Sequence, residues 1–449
     1  MWYRNGTQLQ NFILTKRNLP VGSISTGSYA RDCSPLGPVV SLTPSSSPNA
    51  KFDQLAYCED IAFWELYNKV GDAKPAKRIL LSGCDPNRKS WNTVMGPLRD
   101  PNPRGSLWAY TVPSSSSEPS PKPQRIALQG YPEGHDFHPL GLEVWPSYAG
   151  NASNLYIVNH ARARTVIEHF TLTPSTFSSP SSAPKAKYIR TITSPYFVSP
   201  NSLALTSPTS FYVSNDHLIT RRWPIIGSFV PLLESVFALP LAFISHVSLA
   251  PPDAITPIDE ERQHVAEHKF AVKFMPFPNG IALSSDKKTL AVASSSLGVV
   301  QFYARDASSN ALNLKKEETV KLPFAVDNVR FAHAPEGSEE ELLVAGHPHF
   351  PSVIKVAKNV TNASSGSWVA SISSLSSASS ASNASDSQDP LGPYAAGGRV
   401  KTILQSNGVE SEGGFPTSST ALRDPDSGAL YIAGLYALGG VLECRPRGI

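Results

Sequence analysis

Six stretches of the chain have the pattern of one repeated two-stranded unit, and this repetition limits the fold more than any other feature. Each unit starts with a short polar group, continues as alternating apolar residues, crosses a turn and returns as a second apolar strand. The return strands are RILLSGC (78–84), NLYIVNH (154–160), SFYVSND (210–216), TLAVASS (289–295), ELLVAGH (341–347) and ALYIAGL (429–435). A repeated β unit cannot bury both faces alone, so copies roughly 50 to 90 residues apart predict stacked blades. Six copies predict an all-β, six-bladed β-propeller.

Composition supports many short strands in one domain. The 449 residues are 41% apolar and 17% charged, with 40 prolines and 29 glycines, which is typical of strands joined by turns. Closed β architectures often run long as one unit, so we predict an N-terminal extension (1–32) and a single propeller (33–449). Ser- and Pro-rich insertions, notably 361–390, are expected to lack packed structure. A net charge of +3 without long basic runs argues against binding to nucleic acid.

The four cysteines favour an oxidising compartment. They are Cys33, Cys58, Cys84 and Cys444, and none forms a CxxC pair, which argues against a zinc site. In a closed ring the first and last strands must meet, so we predict one disulfide between Cys33 and Cys444 and another, Cys58 to Cys84, within the first blade. Candidate glycosylation sequons in the domain lie at Asn151, Asn359, Asn362 and Asn383.

Two segments bear on localisation. The N-terminus, which begins MWYRN, lacks the positively charged start and the continuous apolar core of a signal peptide. Either the sequence starts late in the gene or the cysteines are reduced. With the cysteines oxidised, we expect a secreted or secretory-pathway protein. The most apolar stretch, 223–251, is interrupted by prolines and by Glu234. It is therefore predicted to form a short amphipathic helix or lid, with peripheral membrane contact as one option, rather than a membrane span.

The polar groups at the unit starts are the main candidate for chemistry. In a propeller the innermost strand of each blade starts beside the central channel, so equivalent residues converge there. Turn formation explains these residue types but not their shared position. Carboxylate and amide oxygens suit Ca²⁺, and the absence of thiolates argues against zinc or copper. The residues at this position are Glu59, Asp60, Asn201, Asn279, Asp327 and Asn328.

Histidines form a second group of candidates. A histidine near a bound cation can act as a general base on water, although a buried histidine bonded to a backbone carbonyl is an equal interpretation for His160. No G-x-S-x-G motif is present, which disfavours an ordinary serine hydrolase. The histidines in this group are His135, His138, His160, His217 and His347.

These motifs resemble the paraoxonase/arylesterase family of calcium-dependent lactonases. The matching stretches are EDI (59–61), LYIVNH (155–160), VIE (166–168), FYVSNDH (211–217), PNGI (278–281), VDNV (326–329) and LEC (442–444). The resemblance covers about residues 33–444 and implies a six-bladed propeller with two channel calcium ions. It assigns the structural calcium to Asp60 and the carbonyl of Leu142. It assigns the catalytic calcium to Glu59, Asn201, Asn279, Asp327 and Asn328.

The chain departs from the family pattern at two positions. Ser202 stands where the structural calcium expects an aspartate, and we expect this loss of charge to weaken or abolish the second site. Leu140 stands where one histidine of the proposed dyad is expected, whereas His160 matches the other. His138 is two residues before Leu140 and could approach from a different angle. We therefore expect one calcium ion, and a second only if the structural site survives.

The expected function is hydrolysis of an aryl ester or lactone. The calcium ion would polarise the carbonyl and stabilise the oxyanion while water attacks. Proton removal would fall to His160, or to Glu59 or Asp327. Residues 223–251 would cover the channel mouth and select apolar substrates. The alternative is a diverged propeller that keeps calcium for stability and acts as a binding module.

Overall fold

The computed structural model describes residues 14–25, 32–38, 54–102, 105–115, 117–177, 183–251, 264–332, 340–373 and 399–446. Within this part of the chain nearly all regular structure is β-strand. The chain begins with β1 (Ser23–Ser25) and β2 (Cys33–Pro35). The first repeat contains β3 (Cys58–Tyr67), β4 (Lys77–Cys84), β5 (Ser106–Thr111) and β6 (Gln124–Gln129). The second contains β7 (Pro139–Val144), β8 (Ser147–Tyr148), β9 (Ser153–Asn159), β10 (Val166–Leu172) and β11 (Lys185–Ile192).

The later repeats follow the same plan. The third contains β12 (Pro200–Ser207), β13 (Ser210–Asn215), β14 (Ala242–Leu249) and β15 (Val265–Met275). The fourth contains β16 (Pro278–Leu283), β17 (Thr289–Ser294), β18 (Val299–Arg305), β19 (Leu312–Leu314) and β20 (Val320–Lys321). The fifth contains β21 (Ala325–Ala332), β22 (Glu341–His347), β23 (Ser367–Ile372) and β24 (Val400–Ser406), and the sixth β25 (Ser418–Arg423), β26 (Leu430–Gly434) and β27 (Val441–Cys444).

Helical structure is confined to short elements between the strands. The α-helices of the described residues are α1 (Val230–Val236), which lies between β13 and β14, and α2 (Phe350–Ala357), which lies between β22 and β23. Single 3₁₀ turns occur at Pro174–Phe177, Ile226–Ser228, Lys316–Glu318 and Glu410–Glu412.

The strands form a propeller-like all-β fold, but not the six separate blades expected from the repeats. Four sheets of the described residues are blade-sized: β1-β24-β23-β22-β21, β12-β13-β14-β15, β16-β17-β18-β19 with β20 on β18, and β2-β27-β26-β25. A further sheet has nine strands in the order β7-β9-β10-β11-β6-β5-β4-β3-β8. It arises because the outer strands of the first two repeats, β6 and β11, pair in parallel, and β8 pairs with the end of β3.

The first strands of the repeats lie side by side in a closed cycle, β3 to β7, β12, β16, β21, β25 and back to β3. The ends of the chain join in one sheet, since β2 pairs with β27 and places Cys33 opposite Cys444. A disulfide links these two residues, and another links Cys58 to Cys84. Both predicted disulfides are therefore confirmed.

Each first strand interrupts its pairing with the return strand at the same point. A β-bulge leaves residues outside the hydrogen-bond ladder and redirects their side chains. The polar groups predicted from sequence lie at these bulges, so the sequence repeat corresponds to a repeated backbone feature. The interruptions fall between Cys58 and Asp60, Pro139 and Leu142, Pro200 and Leu203, Pro278 and Ile281, Val326 and Val329, and Ser418 and Thr420.

The apolar core lies between neighbouring repeats. Tyr156 and Val158 of β9, for example, pack with Leu203 of β12 and Val213 of β13. Burial of one such side chain contributes roughly 1.5–3 kcal/mol. Because each repeat buries its faces against the next, the ring fixes the relative positions of the bulges.

Two expectations need correction or refinement. The tract 361–390 was expected to lack packed structure, but Ser367–Ile372 is strand β23 and every residue in it is buried. Trp368, Val369 and Ile372 provide enough apolar surface to complete the sheet, whereas residues 374–390 lie outside the described residues. In the stretch 223–251 the expected short helix is present as α1. The later part of the same stretch forms strand β14. Among the described residues, none of the helices has the length and apolar character that a membrane crossing requires.

Candidate functional site

One cavity of about 170 Å³ collects most of the predicted ligands. Glu59, Asn201, Asn279 and Asp327 all line it, and each is at most 7% exposed. Asn328 joins this group because its amide Nδ2 donates to Glu59 Oε1 at 2.8 Å. The structure therefore brings together the five residues assigned to a catalytic ion, from four different repeats.

Glycines let the first strands approach closely at this point. A Cβ atom on Gly141 would lie 2.1 Å from the carbonyl oxygen of Asn201, and one on Gly280 would lie 2.6 Å from Asn328 Oδ1. A real Cβ atom cannot lie that close to another atom. Only glycine, which has no Cβ, therefore allows the strands to approach each other here. The glycine of the PNG motif is thus explained by the backbone packing around Asn328.

The amide nitrogens of the candidate ligands are all occupied. Asn279 Nδ2 donates to Asp327 Oδ1 at 2.7 Å, and Asn201 Nδ2 donates to Asp216 Oδ2 at 3.2 Å. Four of the side-chain oxygens have no hydrogen-bond partner among the described residues. They are Oδ1 of Asn201, Asn279 and Asn328, and Oε2 of Glu59. Each buried orphan acceptor costs about 1–3 kcal/mol. Three of the four belong to residues that line the cavity and the fourth to Asn328, which is bonded to Glu59. Oxygens of this kind are the ligands that a hard cation requires.

Charge at the site points the same way. Burial raises the pKa of Glu59 well above its ordinary value of 4.5, and the nearby carboxylates of Asp60 and Asp327 raise it further. A cation would offset this penalty. No group of three His, Cys, Asp or Glu side chains suited to a metal occurs in the described ranges, because the candidate set is mostly amide. These residues fit a hard cation and not a thiolate- or imidazole-binding metal.

His160, the predicted base, has both ring nitrogens engaged. Nδ1 lies 2.8 Å from Thr93 Oγ1 and Nε2 lies 3.0 Å from the carbonyl oxygen of Pro200. Burial lowers the pKa of His160 to about 4, so the ring is neutral near pH 7. Since a backbone carbonyl only accepts, Nε2 carries the proton and Nδ1 accepts from Thr93. His138 is similarly engaged at both nitrogens, by Asp85 Oδ2 at 2.9 Å and the Pro101 carbonyl at 3.0 Å.

His347 differs from the other two histidines of the cavity. Its Nε2 lies 2.9 Å from Asp327 Oδ2, and its buried Nδ1 has no partner among the described residues. This histidine-carboxylate pair was missed as a functional feature, although the sequence held a signal. The residues that end or follow return strands line the cavity in all six repeats: Asp85, His160, Asp216, Ser295, His347 and Leu435.

The residues assigned to a structural calcium do not fit a second cation. Arg330 Nη2 lies 2.6 Å from Asp60 Oδ2 and 3.0 Å from the carbonyl oxygen of Leu142. Its Nη1 bonds to Glu143. A guanidinium group thus contacts both oxygens that the family resemblance assigns to a structural calcium.

The apolar wall of the cavity comes from two helical segments. Residues 227–232 contribute Gly227, Ser228, Pro231 and Leu232, as expected of a lid, and α2 contributes Phe350, Val353, Ile354 and Ala357, which was not predicted. Helix α1 is fixed by its buried Glu234, which accepts from the backbone N–H groups of Leu218 and Ile219 at 3.0 Å. The segment 223–237, which contains α1, exposes the apolar side chains of Trp223, Ile225, Phe229, Leu233 and Phe237.

The family model described as Arylesterase matches residues 101–381, more than half of the chain. The chain belongs to the arylesterase family.

Individual similarities are weaker. Human serum paraoxonase/lactonase 3 is 22% identical over 233 residues, which is 52% of this arylesterase-family chain and 55% of the human protein. The chain thus spans about half of the length of that relative. The Malassezia sympodialis allergen Mala s 1 aligns with a TM-score of 0.42 at 10% identity, over 87% of this chain and 93% of its own. A Streptomyces coelicolor aldose sugar dehydrogenase gives 0.39 at 9% identity, over 95% and 99%. At these TM-scores neither structure bears on activity.

Proposed function

We propose that the chain is a calcium-dependent hydrolase of aryl esters or lactones. The observation that carries the proposal is the group of four buried, unpartnered oxygens from Glu59, Asn201 and Asn279, which line one cavity, and from Asn328, which is bonded to Glu59. The other polar atoms of these side chains already have hydrogen-bond partners. The oxygens that remain suit a hard dication.

The ion would be held by Glu59, Asn201, Asn279, Asp327 and Asn328. When bound, it would supply a positive charge that polarises the substrate carbonyl and stabilises the oxyanion. The protein fixes the ligands in advance: Asp216 orients Asn201, and Ser295 Oγ accepts from Asn279 Nδ2 at 3.0 Å. Glu59 orients Asn328. This preorganisation lowers the cost of presenting the oxygens together.

We assign the general base to His347. Its Nε2–H donates to Asp327, which leaves Nδ1 to accept a proton from the attacking water. Asp327 then stabilises the imidazolium that results. His160 acts as a wall and positioning residue in this scheme, because Thr93 and Pro200 engage both of its nitrogens. Glu59 and Asp327 serve as ligands rather than as bases.

The substrate is expected to be small and partly apolar. Leu232, Phe277, Phe350 and Val353 line the same cavity as the polar group. An aryl or short alkyl group would pack against them while the ester carbonyl points to the polar residues. The exposed apolar side chains of the segment 223–237, part of which lines this cavity, would suit peripheral contact with a lipid surface.

We also propose that the nine-stranded sheet counts as two blades. It contains two antiparallel series, β3 to β6 and β7 to β11, joined only through their outer strands and β8. The complete ring would then have six blades, as the sequence repeat predicts.

The two disulfides support an oxidising compartment such as the secretory lumen or the exterior. Asn151, Asn359 and Asn362 are exposed, as glycan attachment requires, whereas Asn383 lies outside the described residues. Glycosylation and secretion remain proposals that mass spectrometry of protein from the native host would test.

Hydrolysis assays with and without chelator test the function directly. Phenyl acetate and a panel of lactones would be incubated with pure protein in EGTA, then in excess Ca²⁺. We expect turnover that is lost in EGTA and restored by Ca²⁺. Tight calcium binding without turnover of any substrate would favour the alternative, a diverged binding module, and turnover that is indifferent to EGTA would contradict the metal assignment.

A further inference from the structure

Arg330 is a buried cation on strand β21. It is 7% exposed, and it lies two residues after Asn328, a candidate ligand. Its guanidinium contacts three oxygens from two other strands: Asp60 Oδ2 of β3, and the Leu142 carbonyl and Glu143 carboxylate of β7. One strand therefore supplies an amide to Glu59 and a guanidinium to Asp60.

The hydrogen bonding around Arg330 is complete. Asp60 Oδ2 also accepts from the Leu142 N–H at 3.0 Å, and its Oδ1 accepts from the Ile61 N–H and from Thr420 Oγ1, both at 2.9 Å. No side-chain atom of Asp60, Glu143 or Arg330 is among the buried orphans of the described residues. No buried oxygen of these side chains is therefore left without a partner for an added ion.

A guanidinium suits this place for chemical reasons. It is planar, permanently charged and weakly hydrated, and its several N–H groups can bond two carboxylates and a carbonyl together. A metal ion would contact the same oxygens, but it could be removed by a chelator. The side chain cannot leave.

We propose that Arg330 is a built-in replacement for a second calcium ion. The chain accordingly binds calcium at no more than one place in the channel, and the packing of β3, β7 and β21 does not depend on calcium. The inference goes beyond the proposed function, since it concerns how the ring is held together and holds whether or not the chain hydrolyses esters.

The test combines calcium stoichiometry with thermal unfolding. Four proteins would be compared: wild type, Asp327→Asn, Arg330→Met and the double variant. Each would be dialysed against calcium for elemental analysis and melted in EGTA and in excess Ca²⁺. Arg305→Met is the matched control, since Arg305 is also a strand arginine but donates its hydrogen bonds to Asn310 Oδ1 and the Lys287 carbonyl rather than to carboxylates.

We expect wild type to bind one ion and Asp327→Asn to show little or no calcium-dependent rise in Tm. In EGTA, Arg330→Met should melt roughly 5 °C or more below wild type, because two buried carboxylates lose their cation. Calcium should raise the Tm of the double variant, since the carboxylates of Asp60 and Glu143 become free to bind it.

Two ions in wild type, or an ion retained in Asp327→Asn together with a calcium-dependent Tm, would overturn the inference. An unchanged Tm for Arg330→Met would also overturn it. If Arg330→Met does not fold, the first two proteins still decide. A wild type without any ion would contradict the proposed function instead, and the Arg330 inference would then be decided by the Arg330→Met and double-variant melts.

Discussion

Two clusters of buried oxygens lie next to each other in the channel, and they differ in what satisfies them. In the first, Glu59 and the asparagines leave four oxygens without partners. In the second, Asp60, Glu143 and the Leu142 carbonyl are all bonded to Arg330. Neighbouring residues of β3, Glu59 and Asp60, thus belong to opposite kinds of site. The comparison teaches that a concentration of acidic and carbonyl oxygens does not by itself indicate a metal; the count of unsatisfied acceptors does.

Removal of a charge from the first cluster should have the largest effect. Asp327→Asn keeps the size of the side chain but removes a carboxylate from the ion and from His347. We expect kcat/KM for phenyl acetate or a lactone to fall about 10³-fold or more, with loss of bound calcium. Elemental analysis and steady-state kinetics would measure both. Asp286→Asn, in an exposed turn, is the control, and equal losses in the two variants would contradict the assignment.

Histidine substitutions sharpen the comparison within the first cluster. His347→Gln should lower kcat about 10²-fold with little change in KM, because it removes the free ring nitrogen. His160→Gln should have a smaller effect, under about tenfold, since its nitrogens only bond to Thr93 and Pro200. Retained calcium and an unchanged melting temperature would show that both variants are intact. The reverse order of the two effects would transfer the base role to His160.

The calcium affinity of the first cluster should depend on pH. Since burial and nearby carboxylates raise the pKa of Glu59, the calcium-free protein holds a proton that the unfolded chain releases. Its contribution to stability is therefore full below the ordinary pKa of 4.5 and declines as pH rises through the raised pKa. Calcium must displace that proton, so calcium affinity should rise up to about tenfold per pH unit in this window. Titration calorimetry in buffers of different ionisation enthalpy measures the released proton; no release would contradict the prediction.

Restoring the family aspartate should have the smallest effect. Ser202 Oγ accepts from the Ile281 N–H at 3.2 Å, and a carboxylate can accept the same bond. With Arg330 present, Ser202→Asp should bind no additional calcium and change the melting temperature by only about a few degrees. The same elemental analysis measures this outcome. An additional ion in the single variant would show that the guanidinium does not block the site.

Much of this organisation is readable from the sequence. The return strands, the disulfides Cys33–Cys444 and Cys58–Cys84, and the gathering of Glu59, Asn201, Asn279 and Asp327 all follow from the repeat, because a ring places equivalent residues together. The role of Arg330 does not follow from the repeat, because it depends on which side chains of β21 point toward β3 after the bulge. His347 was among the candidate histidines, but its pairing with Asp327 was not predicted, because the two residues are 20 positions apart and a bulge lies between them.

The remaining differences also have physical causes. The fusion of two repeats through β6 and β11 depends on backbone pairing at the outer edge, where side-chain pattern carries little information. Helix α2 lies in a connection between β22 and β23, and nothing in its spacing indicates that it lines the cavity. Strand β23 lies within a Ser- and Ala-rich tract. The low apolar content of the whole tract therefore predicted no packed structure, although the few apolar residues of β23 are buried.

The six bulges have a consequence for how such a ring acquires new chemistry. The hydrogen-bond ladder is interrupted at the equivalent position in every first strand, even where the residue there is a serine, as in SST at 418–420. The backbone therefore sets the geometry of these positions independently of the side chains that occupy them. Substitution at the bulge positions other than Gly141 and Gly280 can exchange one ligand type for another while the backbone pairing stays the same. Each of the six bulges therefore offers a position at which substitution could change the ligands presented to the cavity.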